Sequence, residues 1–305
     1  MSWELPDRIS VREVGPRDGL QNEDPVPTDA KVALLDRLSA TGVQRIEAVS
    51  FVRPSAIPQM ADAEEVWKRA VRVPWVRYSA LVPNLRGAQR ALDAGFTELE
   101  AVVSASETHN RKNVNRSTGQ SLDEIAEIIS VAHERGATVQ VIVSTAWGCP
   151  YEGDVPPGRV VSVAGRALAD GADSASFGDT TGMATPARVR ALVGAFRSAH
   201  PDAALNLHFH NTRGTGLANV VGALELGVAD FDASVGGLGG CPYAPGATGN
   251  IATEELVHMV EDMGVATGID LEAMIAAAAE AEAIVGHTLP SQVLRAGPRT
   301  RTIAS

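Results

Sequence analysis

Compact apolar runs alternate along this chain with longer stretches whose apolar positions recur every three or four residues. The compact runs predict strands at 9–14, 45–51, 76–82, 98–104, 138–144, 174–178, 204–210 and 231–235. The periodic stretches predict helices at 29–40, 63–69, 85–94, 122–135, 157–169, 186–199, 217–226 and 253–263. Gly42, Gly95, Gly136, Gly171 and Gly227 close five of these helices just before the next strand. A glycine there can take the left-handed backbone that turns a helix end toward a strand. Strand and helix alternate eight times with no intervening linker, which predicts an α/β fold of the TIM (β/α)8 barrel type. The whole chain, 1–305, reads as one catalytic domain, with a barrel core over 8–263 and a C-terminal helix and tail over 264–305. A doubly wound sheet is the competing architecture. It uses fewer strands and, for dinucleotides, a Gly-x-Gly-x-x-Gly turn after the first strand, where this chain has "GPRDGLQNE".

Composition narrows the function. The 305 residues are 45% hydrophobic and 21% charged, with a net charge of −11, the balance of an acidic globular protein. Nucleic acid and anionic membrane surfaces both require clustered positive charge, so neither is an expected partner. No apolar run is long enough to cross a bilayer, and the first residues, "MSWELPDRIS", lack the apolar core of a signal peptide. The two cysteines, Cys149 and Cys241, make no disulfide framework. A cytoplasmic location is the simplest expectation.

A barrel of this kind does its chemistry at the C-terminal ends of the strands, and ionisable residues gather there. The first strand leads into Arg17 and Asp18, and the second carries Glu47 and Ser50. The loop after the fourth, "SETHNRKNVNRS", holds Arg111, Lys112, Asn113 and Asn115, and the fifth leads to Cys149, read mainly as structural. The sixth contains Ser176 and ends near Asp179, and the seventh ends in "NLHFHNT". Side chains two apart on a strand share a face, so His208 and His210 both point to the upper rim of the interior. Either the two imidazoles bind one divalent cation, or one is a core residue and the other meets solvent. Asp18 and Asn250 offer hard oxygens from distant parts of the chain, a donor set that suits Mg2+ or Mn2+ better than zinc. Arg17 is either a partner for developing oxygen charge or half of a solvated ion pair with Asp18. The stretch "GGLGGCPYAPGATGN" has six glycines in fifteen residues and suits a mobile lid, on which Cys241 could deliver a proton.

Five motifs are specific: "EVGPRDGLQNE", "IEAVSFVRPSAIPQMAD", "GCPYEG", "FGDTTGMATP" and "GGLGGCPYAPGATGNIATEEL". Through them the chain resembles the 3-hydroxy-3-methylglutaryl-CoA lyases, in order from about residue 11 to residue 270. The resemblance implies metal ligands Asp18, His208, His210 and Asn250. It implies cleavage of an acyl-CoA substrate between C2 and C3, with Arg17 on the enolate oxygen, His208 and Asp179 in proton transfer, and Cys241 as the acid. It further implies that Glu47 supports Arg17, that Gln21, Ser50 and Ser176 lie near substrate, and that Asn113 is a more distant polar support. A homodimer acting in leucine degradation or ketone-body chemistry follows from the same likeness. The chain departs from the family at Asn211, where the usual pattern is His-x-His-Asp-Thr; on a continuing strand Asn211 points away from the metal. Related readings are a citramalyl-CoA lyase, a Claisen-type condensing acyltransferase, and a CoA-binding protein without activity.

Overall fold

The computed structural model describes residues 4–240 and 248–302. The eight strands are β1 (Ser10–Glu13), β2 (Arg45–Ser50), β3 (Arg77–Val82), β4 (Glu98–Ser104), β5 (Thr138–Ser144), β6 (Ser174–Gly178), β7 (Leu205–His208) and β8 (Asp230–Ala233). All neighbours pair in parallel, and β1 pairs with β8 to close the barrel. The helices are α1 (Thr28–Ser39), α2 (Ala63–Arg69), α3 (Leu85–Asp93), α4 (Glu107–Val114), α5 (Thr118–Glu134), α6 (Pro157–Ala169), α7 (Pro186–Ala199), α8 (Gly216–Leu224), α9 (Thr253–Asp262), α10 (Leu271–Val285) and α11 (Gln292–Ala296). This is a TIM barrel, and the five glycines foreseen at helix ends all have positive φ, from 70° to 105°.

Four local differences from the sequence reading have identifiable causes. The loop after β4 contains α4, whose residues are almost all polar and so show no apolar stripe; Ser106 caps it by accepting a bond from the His109 amide at 3.1 Å. Helix α5 begins four residues earlier than expected because Ser117 and Gln120 form a reciprocal capping box. The chain after β1 winds into one wide turn over Gly15–Gly19, in which the Gly19 amide donates to the Val14 carbonyl at 3.1 Å. Strand β7 ends at His208; beyond it the Ile251 amide donates to Phe209 O at 3.2 Å, and His210 pairs antiparallel with Asn250. The expected tail helix is α10, which packs on α1 and α9, and the short α11 follows it.

The apolar core lies outside the barrel wall. Ile46, Leu99, Val139, Val141, Phe177, Leu207 and Phe231 are all buried in the hydrophobic core, where the helices cover the sheet. Inside the barrel the alternate positions are largely polar. Arg12 of β1 forms a close ion pair with Glu100 of β4 and donates to Gln140 of β5 at 2.8 Å, contacts that cross the lumen. At the N-terminal end of the barrel a cavity of about 260 Å3 is lined by these groups together with Arg45, Arg77, Glu98 and Asp230.

Candidate active site and metal centre

The wide turn after β1 carries Arg17 and Asp18 over the C-terminal mouth of the barrel. Arg17 is only 7% exposed, which rules out the solvated ion pair. Its Nη1 lies 2.7 Å from Asp18 Oδ1 and its Nη2 2.5 Å from Glu47 Oε2, so the guanidinium is held between two carboxylates. Gln21 Nε2 donates to Asp18 Oδ1 at 2.7 Å. Gln21 therefore braces Asp18 directly. Burial opposes ionisation of Asp18, but Arg17, His208, His210 and the Asn250 amide outweigh it and bring its pKa down to about 2.

Asp18, His208 and His210 each offer a ligand atom within 4.8 Å of the others. Asn250 lies against them: its Nδ2 donates to Asp18 Oδ2 at 2.8 Å and to the Leu238 carbonyl at 3.1 Å. Two buried atoms here, His210 Nδ1 and Asn250 Oδ1, have no hydrogen-bond partner among the described residues. Orphaned acceptors beside a carboxylate and a second imidazole are what a divalent cation would satisfy, so the donor set fits one. The imidazoles differ. Burial and the neighbouring His208 push His210 down to about 3, so it is neutral and ready to donate a lone pair. His208 sits above the ordinary imidazole value despite its burial, because Asp232 and Asp18 favour its protonated form.

The backbone around Asn250 leaves no room for side chains. Gly239 has φ +107°, and a Cβ there would meet Asn250 Nδ2 at 2.8 Å. A Cβ on Gly249 would meet the Gly239 carbonyl at 2.0 Å. The glycines foreseen as lid flexibility serve, at these two positions, close backbone approach.

Asp179, at the end of β6, is 1% exposed. Its Oδ1 accepts the amides of Met183 at 2.7 Å and Ala184 at 3.0 Å, while Oδ2 has no partner among the described residues. Burial raises its pKa to about 6 against these amide bonds and the charges of His208 and Arg213. Ser50 is buried, with its hydroxyl unpartnered among the described residues. Ser176 accepts from Asn206 Nδ2 at 2.9 Å and lies one interior layer below His208, since His208 pairs in register with Gly178. Asn113 is exposed on α4. Cys149 is buried and donates to Ser106 Oγ at 2.9 Å, which fits its structural reading. Cys241 lies outside the described residues. Asn211 turns away from the cluster, as expected, and its Oδ1 accepts the Gly216 amide at the start of α8 at 3.2 Å.

The sequence reading missed Asp232, Arg12 and Glu100. Arg12 grips Asp232 with two bonds, Nε to Oδ1 at 2.9 Å and Nη2 to Oδ2 at 2.8 Å, and Asp232 Oδ2 lies 3.1 Å from His208 Nδ1. The available signal was charge recurring at every second position, as in Arg45 and Glu47, Glu98 and Glu100, and Asp230 and Asp232. Also missed were Glu13 and Glu254, which hold the turn after β8. Glu13 accepts the amides of Gly15 at 2.8 Å and Val235 at 2.9 Å, and Glu254 accepts that of Gly236 at 3.0 Å.

The family model described as HMGL-like matches residues 8–280. The chain is 46% identical over 291 residues to a hydroxymethylglutaryl-CoA lyase of Bacillus subtilis, covering 95% of this chain and 97% of the relative. It is 43% identical over 301 residues to an (R)-citramalyl-CoA lyase of Chloroflexus aurantiacus, covering 95% of each. Among solved structures, an HMG-CoA lyase from Acinetobacter baumannii in complex with coenzyme A and 3-methylmalate superposes with a TM-score of 0.93 at 46% identity, over 98% of both chains.

Proposed function

This chain belongs to the HMGL-like family, and on that premise we propose that it cleaves 3-hydroxy-3-methylglutaryl-CoA to acetoacetate and acetyl-CoA. It is a carbon–carbon lyase. The observation that carries this is the convergence of Asp18, His208 and His210 beside a buried Arg17 at the catalytic mouth. Asp18, His208, His210 and Asn250 would hold the cation, Mg2+ or Mn2+. When bound, it supplies Lewis acidity to substrate oxygens.

The chain's own groups do the rest. Asp179 takes the proton of the C3 hydroxyl through Oδ2, which has no partner among the described residues. The C2–C3 bond breaks, the hydroxyl carbon becomes the ketone of acetoacetate, and the electron pair passes to the thioester as an enolate. The Arg17 guanidinium, fixed by Glu47 and Asp18 before substrate arrives, stabilises the charge on the enolate oxygen. Cys241 returns a proton to the enolate carbon and completes acetyl-CoA. His208 contributes as a ligand next to Asp179, whose amide donates to the His208 carbonyl at 2.8 Å. Gln21 keeps Asp18 in place, and Ser50 and Ser176 lie along the substrate's approach. Arg111 and Lys112, exposed on α4, are candidates for the anionic groups of CoA.

We take 8–263 as the barrel core and 264–305 as the appended helix and tail of one catalytic domain. Among the described residues no helix is long and apolar enough to cross a membrane. A cytoplasmic homodimer acting in leucine degradation or ketone-body chemistry is the corresponding setting.

The (R)-citramalyl-CoA lyase relative favours a second reading, cleavage of citramalyl-CoA to pyruvate and acetyl-CoA. Purified protein with Mg2+ or Mn2+ should release acetoacetate from the first substrate faster than pyruvate from the second. The reverse order would exchange the two readings, and turnover undiminished by a chelator would remove the metal.

A further inference from the structure

The two histidines of the cluster are not equivalent, and the difference lies beneath the site. His208 Nδ1 is 3.1 Å from Asp232 Oδ2, while its other ring nitrogen, Nε2, faces Asp18 Oδ2 at 4.0 Å. His210 Nδ1 has no such partner among the described residues. Asp232 is 3% exposed and cannot swing aside, because Arg12 binds both of its oxygens and Asn206 Nδ2 donates to Oδ1 at 3.0 Å. Arg12 is in turn fixed by Glu100 and Gln140 from the far wall of the barrel.

We propose that Asp232 is a positioning residue, which keeps the neutral His208 ring with its proton on Nδ1 and so presents Nε2 to the cation. A carboxylate can only accept, so the nitrogen facing it must carry the hydrogen and the opposite nitrogen keeps its lone pair. The same contact fixes the ring plane and makes the imidazole a better donor. Arg12 acts one step further back: its two-pronged grip is what keeps a buried carboxylate in a single orientation. Aspartate and arginine therefore form a column under one ligand only, and His210 depends on the backbone pairing at Asn250. The tautomer half of this proposal stands on hydrogen bonding alone, whereas the ligand half rests on the metal reading above.

The test uses full-length protein with 15N-labelled histidine, freed of metal and held at a pH where His208 is neutral, followed by titration with Mn2+ monitored by electron paramagnetic resonance. Wild-type protein should show His208 as the single Nδ1–H form. Asp232→Asn should lose that single form and weaken Mn2+ binding by roughly 10- to 100-fold. Asp230→Asn is the control. It removes a partly exposed charge from the same strand, one paired with Arg45 at the opposite end, and should leave both readouts at wild-type values. If Asp232→Asn does not fold, Arg12→Lys keeps the charge, loses the two-pronged grip, and should show a smaller shift in the same direction. A wild-type His208 carrying its proton on Nε2 would overturn the proposal, as would unchanged Mn2+ affinity in the Asp232 variant. An Nδ1–H form in a protein that binds no Mn2+ would instead uphold the tautomer and refute the metal.

Discussion

At the scale of single residues, the site prepares its groups before any ligand arrives. Arg17 meets Glu47 and Asp18 at 2.5 and 2.7 Å, so little reorganisation is left for the moment when charge develops on substrate. The same preparation makes cation binding depend on pH. His208 holds a proton above the ordinary imidazole value, and a cation must displace it, whereas His210 is already neutral. Apparent affinity for Mn2+ should therefore weaken as pH falls through the raised His208 value, with about one proton released per ion bound. Calorimetry in buffers of different ionisation enthalpy measures this directly, and pH-independent affinity between pH 6 and pH 8, roughly the span where imidazoles titrate, would contradict it. Of these residues Asp18, His208, His210 and Asn250 were legible in the sequence, because rim chemistry and strand alternation select them. Asp232 and Arg12 were not. Their importance comes from which strands face one another across the lumen, and that is known only once the barrel is closed.

Among the elements, the segment from 248 to 252 does the decisive positioning. It runs antiparallel to the residues after β7, pairs Asn250 with His210, and crosses close over Gly239. Gly239→Ala would put a methyl group 2.8 Å from Asn250 Nδ2 on a backbone with φ +107°. We expect Mn2+ affinity to drop about tenfold or more while the fold survives, as read by circular dichroism alongside the binding titration. Asn211 makes the opposite prediction. Its work is to accept the Gly216 amide, which an aspartate does equally well. Asn211→Asp should leave both substrate preference and melting temperature where they are, to within about half a kcal/mol of stability. A switch of substrate in that variant would show that the position reaches the site after all. Strand and helix periodicity located β4, β5, β6, α2, α6 and α7 to the residue. It failed at α4, where polar residues leave no stripe, and at the end of β7, where the hydrogen-bonding partner changes while the apolar run continues.

On the scale of the whole molecule, buried acids tie the catalytic mouth to overall stability. Burial raises Glu13 and Glu254 to about 7, overriding the amides they accept. A carboxyl whose folded pKa exceeds its unfolded value favours the fold most at pH below the unfolded value, and that advantage is lost as pH rises through the folded one. Two groups work in the opposite sense: Asp18, held down at about 2, only in acid well below this window, and His210, held down at about 3, up to the ordinary imidazole value, where the two raised carboxyls outweigh it. In the presence of a chelator, the melting temperature should thus decline from about pH 5 to about pH 8, and Glu254→Gln should flatten the decline. A melting temperature that climbs across that range would contradict it. The arrangement of the packing has one more consequence. The greasy material that binds this molecule together forms a sleeve between wall and helices, and the bore is filled with matched ions. Evolution could re-pair those ions without disturbing the sleeve. A library randomised at inward positions should keep far more folded members when opposite charges are varied together than when either is varied alone.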